Sequence, residues 1–289
     1  MTTTTIDAAS QFAATIVGVS SLPDTAVRIM ETVQCSDSSA QDLMRVLQGD
    51  PSLSARVLKT MNSAAFGVSE KITNLQKAIS LLGFNHIRNL ALTASISSIF
   101  EKGDGVSCYT RTGLWKHMIS TAIGARMISR RLELPNPEEA FLGGLLHDIG
   151  IILIDQYANE QFVQIIEEVA ASGENADLVG TEREILGFDH ARLGDLVARQ
   201  WKFPESVVSV IKYHHSTPPS ANAHKLLIQC VQASNLICTL RGLTSIGCRS
   251  FACSAEVFRD MGFSKTDAKV IAGDMNSEFE QNTALFELI

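Results

Sequence analysis

Two kinds of targeting segment are missing from the sequence. No basic segment followed by an apolar stretch opens the chain, since residues 1–10 are rich in threonine, and we expect no secretory signal. The longest apolar stretches are interrupted by glycine or by the pair His147 and Asp148. We therefore expect no helix that spans a bilayer, which needs roughly 20 consecutive apolar residues.

Paired cysteines are also absent. The six cysteines are Cys35, Cys108, Cys230, Cys238, Cys248 and Cys253. They form no CxxC pair, and the spacing between Cys248 and Cys253 is typical of neither a zinc knuckle nor a disulfide framework. This pattern predicts reduced thiols, several of them in the core, and a cytoplasmic protein without a membrane partner. A redox role is the less favoured interpretation.

An excess of positive charge is missing as well. Lys and Arg number 24 against 31 Asp and Glu, which gives a formal net charge of −7. This balance disfavours non-specific binding to nucleic acid or anionic membranes, although it leaves room for a local basic pocket. With 45% hydrophobic and 19% charged residues, the composition is that of a globular chain of one large domain or two modest ones.

Alternating strand patterns are absent, and helical periodicity dominates instead. Helix starts are indicated at Asp50, Asn74, Asn85 and Asp189, whose side chains are suited to cap the residues that follow. The sequence therefore predicts an all-α fold.

A linker-like stretch divides the chain. Glu101-Lys102-Gly103-Asp104-Gly105 is rich in glycine and charge, which is typical of a boundary between subdomains. We predict an N-terminal extension over residues 1–20 and an N-terminal helical subdomain over residues 21–104. The latter packs on a helical bundle over residues 105–289 that includes a C-terminal helical extension.

The stretch Phe141-Leu142-Gly143-Gly144-Leu145-Leu146-His147-Asp148-Ile149-Gly150 places a histidine and an aspartate at the end of an apolar run. A carboxylate buried there is costly unless a hydrogen bond, an opposite charge or a metal compensates it. The donor set of one imidazole and one carboxylate suits Zn, Mn or Fe. These residues are thus either metal ligands or a salt-bridged pair, and the stretch alone favours neither. Gly150 is expected to end the helix in the left-handed conformation.

Histidines are concentrated in the second half. Five of the seven lie on predicted helices or at helix ends, namely His117, His147, His190, His214 and His215. His190 lies at a helix start, where the positive end of the dipole favours the neutral imidazole that a metal ligand requires. Helices at these positions are able to bring the five imidazoles to Asp148. The alternative is a relic site whose histidines bond each other and water.

The order of these residues resembles the HD superfamily of metal-dependent phosphohydrolases, and their number resembles its HD-GYP branch. Residues 20–240 also resemble an HDOD domain. The matching stretches are Ser21-Leu22-Pro23, Asp50-Pro51-Ser52-Leu53-Ser54-Ala55-Arg56-Val57-Leu58, Asn62-Ser63-Ala64, Gln76-Lys77-Ala78-Ile79-Ser80-Leu81-Leu82-Gly83-Phe84, Gly187-Phe188-Asp189-His190-Ala191-Arg192-Leu193-Gly194 and Trp201-Lys202-Phe203-Pro204.

The resemblance implies a ligand set for divalent ions (Fe, Mn, Zn or Mg). A first ion would be held by His117, His147, Asp148 and an aspartate from a later helix, for which the best-placed candidate is Asn235. A second ion, bridged by the same carboxylate, would be held by His190, His214 and His215. Such a site would promote attack of water on phosphorus.

The sequence departs from the HD-GYP pattern at several positions. Ile151 stands where a lysine is expected, Gly113 stands where a glutamate ligand is expected, and the GYP segment is missing after His215. Asn235 offers a carbonyl oxygen without a charge. One carboxylate contributes about −1 against about +4 from two divalent ions, so we expect one ion rather than two.

Two functions remain open at this point. HDOD domains resemble HD enzymes but usually act in signalling, which implies a regulatory module with a protein partner. The alternative is a phosphohydrolase acting on a nucleotide or cyclic dinucleotide, a phosphate-containing small molecule. Its candidate phosphate contacts are Arg126, Arg130, Arg192 and Lys212, for each of which a solvated helix face is the competing explanation. Nucleic-acid binding is disfavoured by the acidic balance.

Overall fold

Helices provide the regular structure of the described residues, which are 7–17, 23–34, 40–62, 71–101, 103, 105–173, 176–250 and 256–289 of a computed structural model. The prediction of an all-α fold is confirmed. Within these ranges the only β contact is an isolated bridge between Val106 and Tyr109.

In the described part of the chain, the helical elements before residue 101 are α1 (Ala8–Val17), α2 (Asp24–Gln34), α3 (Ala40–Gln48), α4 (Pro51–Met61), α5 (Leu75–Leu82), α6 (Phe84–Ile96) and a 3₁₀ helix (Ser97–Phe100). Further α-helices follow among the described residues. They are α7 (Arg111–Arg131), α8 (Pro137–Leu146), α9 (Ile149–Tyr157), α10 (Asn159–Ala171), α11 (Leu178–Leu186), α12 (His190–Gln200), α13 (Glu205–Tyr213), α14 (Lys225–Leu240), α15 (Glu256–Asp260), α16 (Lys265–Gln281) and α17 (Thr283–Phe286).

Three of the four predicted helix caps are confirmed. The side chains of Asp50, Asn74 and Asp189 each accept a hydrogen bond from the backbone N–H three residues on, at 2.9, 2.8 and 2.7 Å. The prediction for Asn85 is wrong. Helix α6 begins one residue earlier, after Gly83, whose φ of 85° lies in the region that glycine tolerates best. Asn85 therefore lies inside the helix.

Helix α7 is the longest of the described helices and is largely enclosed. Fifteen of its 21 residues are buried, and it packs against α8 and α14. The close packing against α8 depends on Gly144, because a Cβ at that position would lie 2.7 Å from Cα of Ala122. The absence of a Cβ at Gly144 thus holds α7 close beside the His147-Asp148 turn.

The helices before residue 101 share one hydrophobic core with α7 to α13 and α17. Helix α6 packs on α8, and α1 packs on α12. The rings of Phe100 and Trp115 lie 5.2 Å apart at the junction, and Trp115 Nε1 donates to the carbonyl of Leu285 at 3.2 Å. The subdomain boundary near residue 104 stays a prediction.

The segment Pro137–Tyr157 is long and apolar enough to cross a membrane by length and composition. The expectation that no segment would reach this limit was therefore too strict. In the structure the segment forms α8 and α9, separated by the turn at His147 and Asp148, and 89% of its most apolar window is buried within the protein. Such burial is expected of core helices in a globular domain.

Several residues used in the sequence analysis lie outside the described ranges. They are Ser21, Leu22, Cys35, Ser63, Ala64, Lys102, Asp104 and Cys253. The parts of the HDOD-like stretches and of the linker that they form carry no structural description.

Candidate metal centre

His147 and Asp148 occupy the turn between α8 and α9, where both side chains are almost fully buried, at 0% and 1% exposure. Asp148 precedes α9 but makes no capping hydrogen bond, so its carboxylate is available to other groups. Gly150 was expected to end a helix, but it lies within α9. A Cβ there would approach the carbonyl oxygen of His190 to 2.0 Å, so this glycine lets the start of α12 reach the turn.

One group of ligand atoms gathers on Oδ2 of Asp148. Nε2 of His147 lies 3.1 Å from this oxygen, and Nε2 of His117 from α7 lies 3.5 Å from it. The two Nε2 atoms are 3.2 Å apart. Ser245, from the loop after α14, donates a hydrogen bond to the same oxygen at 2.6 Å.

A second group gathers on Oδ1 of Asp148. Nε2 of His214 and Nε2 of His190 lie 3.2 and 3.4 Å from this oxygen. His215, which follows at the end of α13 and is half-buried, brings its Nε2 to 2.8 Å from that of His190. The expected meeting of five imidazoles at one carboxylate therefore exists in the structure. In each group the ligand atoms lie within 4.8 Å of one another.

Backbone carbonyls fix the protonation of three rings. Nδ1 of His117 lies 2.7 Å from the carbonyl of Leu243. Nδ1 of His147 lies 2.8 Å from the carbonyl of Gly144, and Nδ1 of His214 lies 2.7 Å from that of Ile211. A carbonyl oxygen only accepts, so each Nδ1 carries the proton. In the neutral rings Nε2 therefore presents a lone pair to the centre, as a metal ligand does.

Glu182 is a member of the centre that the sequence analysis missed. Its Oε2 accepts hydrogen bonds from Nδ1 of His190 at 2.6 Å and from the backbone N–H of the same residue at 3.0 Å. A buried carboxylate on the far nitrogen orients an imidazole and raises its basicity. Nothing in the sequence separates Glu182 from Glu184, which is exposed, because the difference depends on how α11 packs against α12.

Glu182 also overturns the expectation that the helix start keeps His190 neutral. Burial lowers the pKa of His190, but the carboxylates of Glu182 and Asp148 outweigh it and raise the pKa well above its ordinary value. Two carboxylates in direct contact act at shorter range than the partial charge of a helix end.

Burial and the neighbouring charged groups together set the pKa values of the remaining groups. It lowers the pKa of His117 and His214 to about 4, and, together with the charge of His214, it lowers that of His215 well below its ordinary range. For Asp148, burial raises the pKa, but the surrounding imidazoles outweigh it and hold the pKa well below its ordinary value. At neutral pH the rings of His117, His214 and His215 are thus neutral beside an ionised carboxylate, the forms that bind metal.

The residues present fit a divalent ion. Oδ1 of Asp148 is buried without a hydrogen-bond partner within the described part of the chain. At 3.2 Å from it, Nε2 of His214 has no proton to donate, because its ring proton lies on Nδ1. A buried polar atom without a partner costs about 1–3 kcal/mol or more, and a cation bound by the carboxylate of Asp148 would offset that cost.

The remaining predicted ligand, Asn235, is half-buried on α14. Its side-chain oxygen accepts a hydrogen bond from Thr239 at 3.2 Å, and no described contact joins it to the histidines. Its role as a ligand stays a prediction. At the two positions that depart from the HD-GYP pattern, Ile151 is buried in the core and Gly113 donates its backbone N–H to the capping hydroxyl of Thr110.

The four predicted phosphate contacts have other partners in the structure. Arg126 lies over the ring of Phe141 at 5.0 Å and donates to Asn282, and Arg130 lies 3.6 Å from Glu138. Arg192 pairs with Asp7 and Asp195, and Lys212 lies over the ring of Tyr213. None of these described contacts involves the histidine centre, so phosphate binding by these residues stays a prediction.

A family comparison agrees with this geometry. The model of the HDOD domain matches residues 19–217, more than half of the chain. The chain belongs to the HDOD domain family.

Solved structures show the same architecture. An HDOD domain protein of unknown function from Geobacter sulfurreducens is 25% identical, with a TM-score of 0.78 over 96% of this chain and 97% of the other. A protein from Shewanella amazonensis SB2B, provisionally named a phosphohydrolase, is 26% identical, with a TM-score of 0.73 over 96% and 97%. A protein from Marinobacter aquaeolei VT8, provisionally named a signal transduction protein, is 21% identical, with a TM-score of 0.72 over 92% and 58%.

The chain spans less than half the length of the curated relatives that it matches. An uncharacterised protein of Treponema pallidum (strain Nichols) is 24% identical over 235 residues, which are 81% of this chain and 45% of that protein. For an uncharacterised protein of Bacillus subtilis (strain 168), the shared part is 29% of that protein.

Proposed function

We propose that this HDOD protein is a regulatory module in signalling, in which one divalent ion held by His117, His147 and Asp148 stabilises the conformation that a protein partner recognises. The observation that carries the proposal is the pair of Nε2 atoms of His117 and His147. They lie 3.2 Å apart beside an ionised carboxylate, and both rings have their proton on Nδ1.

Two lone pairs at this separation repel unless a cation lies between them or nearby. A proton on His117 is disfavoured because burial lowers its pKa to about 4. A divalent ion satisfies both nitrogens and the carboxylate together, with the hydroxyl of Ser245 fixing Oδ2 of Asp148.

The second group has a different way to satisfy its lone pairs. Because Glu182 and Asp148 raise the pKa of His190, a proton on Nε2 of His190 is able to donate toward His215, 2.8 Å away. The two groups share a single carboxylate. One ion in the first group and one proton in the second place less positive charge beside it than two ions would, in line with the charge count that favours one ion.

The burial of the centre supports regulation rather than turnover. The side chains of His117, His147, Asp148, His190 and His214 are at most 1% exposed. A phosphodiester would have to displace protein to reach them. An ion in so enclosed a centre acts by joining α7, the turn after α8 and their neighbours, which couples metal binding to the stability of the fold.

The second candidate is a metal-dependent phosphohydrolase. It is favoured by the position of Asp148, whose two oxygens face two groups of imidazoles, the arrangement that a two-metal hydrolase uses. Bound divalent ions would stabilise charge on phosphoryl oxygens and lower the pKa of water. The protein would orient the ions through Glu182 and Ser245. A substrate phosphate would then have to enter beside His215, the half-buried ligand.

Elemental analysis tests the metal site directly. Wild-type protein purified without chelator is expected to contain about one equivalent of a divalent ion. His117→Ala, His147→Ala and Asp148→Asn should lose it, whereas His215→Ala should retain it. His224→Ala is the matched control, because His224 is half-buried outside the centre. Loss of the ion in His215→Ala but not in His117→Ala would place it in the other group and contradict the proposal.

Hydrolysis of bis(p-nitrophenyl) phosphate with added Mn²⁺ distinguishes the two functions. The regulatory proposal predicts that metal-replete protein, with its metal content verified, is inert. Turnover that is lost in both Asp148→Asn and His215→Ala, in variants that keep the wild-type circular dichroism spectrum, would establish the phosphohydrolase instead.

A further inference from the structure

Two cysteines that are far apart in the sequence meet in the structure. Sγ of Cys108 and Sγ of Cys248 lie 3.1 Å apart, and both are free thiols on half-buried residues. Cys108 lies in the turn between Val106 and Tyr109 that leads into α7. Cys248 lies in the loop that follows α14.

The backbones of these two segments are in close contact as well. Gly247 has a φ of 80°, and a Cβ at this position would lie 1.8 Å from the carbonyl oxygen of Cys108. The thiol of Cys108 also donates to the carbonyl of Ile246 at 3.1 Å. A disulfide needs an S–S distance of about 2.0 Å, so the two sulfur atoms have only about 1 Å left to close.

The loop that carries Cys248 also supplies two contacts to the metal centre. The carbonyl of Leu243 accepts from Nδ1 of His117, and the hydroxyl of Ser245 donates to Asp148. A bond between Cys108 and Cys248 would therefore restrain this loop at a point five residues from Leu243 and three residues from Ser245.

We propose that Cys108 and Cys248 form an oxidisable dithiol, a site of reversible disulfide modification by hydroperoxides that clamps the loop 243–248 onto the metal centre. The thiol of Cys108 attacks the peroxide oxygen, which yields a sulfenic acid and releases the alcohol, or water from hydrogen peroxide. The thiol of Cys248 then displaces the sulfenic oxygen as water and closes the S–S bond. Two thiols are oxidised and one peroxide is reduced.

The surroundings of the thiols assign these roles. Burial and the hydrogen bond with Cys108 raise the pKa of Cys248 to about 12, which makes Cys248 the second thiol to react rather than the first. Burial raises the pKa of Cys230 and Cys238 to about 12 as well, and both are fully enclosed on α14. Buried thiols of this kind are inert to oxidants. The modification suits a reducing compartment, where disulfides are transient and signal oxidant levels.

The chemical step is independent of the proposed metal function, and it is tested first. Reduced protein is treated with one equivalent of hydrogen peroxide, alkylated under denaturing conditions and mapped by mass spectrometry. The expected product is an intramolecular disulfide that joins Cys108 to Cys248 and is reversed by dithiothreitol. Cys108→Ser and Cys248→Ser, each of which keeps a hydroxyl donor, should lose this product. Retention of both free thiols in the wild type, or a disulfide between two chains, would overturn the proposal.

The clamp itself is tested by hydrogen exchange. Oxidation should slow amide exchange in residues 243–248 several-fold in the wild type and leave it unchanged in Cys248→Ser. Release of bound metal to a chelator, a measurement that does rest on the proposed metal site, should slow in parallel. A disulfide that forms without any change in exchange over this loop would refute the clamp while leaving the dithiol chemistry established. The expected slowing of amide exchange does not depend on whether the protein binds an ion.

Discussion

Oε2 of Glu182 lies 2.6 Å from Nδ1 of His190, and both side chains are at most 1% exposed. This contact holds one ring of the centre in place and supplies a second negative charge to it. A buried carboxylate and imidazole stabilise each other strongly, and removal of either charge leaves the other uncompensated.

Glu182→Gln is expected to destabilise the metal-free protein by about 3 kcal/mol at pH 6. The pKa of His190 is raised in the folded state, so the stabilisation is fully present below the unfolded value of 6.5 and is lost as the pH rises through the folded value. Urea unfolding of the variant and the wild type across this range measures the difference. Glu184→Gln, on the exposed face of α11, is the control, and a cost that grows with pH would contradict the assignment.

Acid should destabilise the metal-free protein through His117 and His214. Burial lowers the pKa of both to about 4, whereas the unfolded chain takes up these protons near 6.5. Their contribution is thus present above pH 6.5 and lost between pH 6.5 and 4, by roughly 3 kcal/mol for each residue if they titrate independently. The raised pKa of His190 adds no change in this window.

His117→Gln should flatten this acid dependence of the free energy of unfolding, because glutamine binds no proton. Ser220→Ala, in an exposed turn, should leave the dependence unchanged. Equal slopes in the wild type and His117→Gln between pH 6.5 and 4.5 would show that this ring is not held neutral by burial.

Gly150→Ala should displace α12 from the turn at Asp148. The added methyl group would lie 2.0 Å from the carbonyl oxygen of His190, so the two helices must separate, at a cost of about 3 kcal/mol or more in stability. The metal affinity should fall with it. Gly273→Ala, in α16 with open space around the new Cβ, should instead stabilise the protein by about 0.5–1 kcal/mol. Thermal unfolding of the two variants provides the comparison.

Ser245→Ala should weaken metal binding by about tenfold, because hydrogen bonds that orient a metal ligand typically contribute 10–100-fold to affinity. The hydroxyl orients Oδ2 of Asp148 without binding the ion itself. Competition with a fluorescent chelator measures the change. Ser220→Ala, in an exposed turn, should bind as the wild type does, and an unchanged affinity in Ser245→Ala would exclude this role.

Much of the histidine centre was predictable because its residues occur in a recognisable order. His147 and Asp148 interrupt an apolar run, and His190 follows a capping aspartate. These are local signals, and the helix that Asp189 caps begins at His190 as expected. The stretch around His147 and Asp148 instead divides into α8 and α9, where one helix ending at Gly150 was expected. The prediction that distant histidines meet came from the resemblance to HD proteins, because helical periodicity alone does not predict which helices come together.

Glu182, Ser245 and the carbonyl of Leu243 were not predictable in this way. Each acts through a contact between separate elements. Glutamate and serine are common on protein surfaces, and a backbone carbonyl has no signal in the sequence. The error at Asn85 has a related cause. Asparagine is a good cap, but the chain turns at Gly83 instead, where a positive φ is required.

The position of Asp148 also matters before the protein has folded. It lies in the middle of Pro137–Tyr157, the segment apolar enough to satisfy a membrane criterion. In a nascent or unfolded chain, a charge within such a run hinders self-association and acts as an aggregation gatekeeper. The carboxylate that organises the folded centre thus also limits aggregation of this apolar segment until its helices have packed.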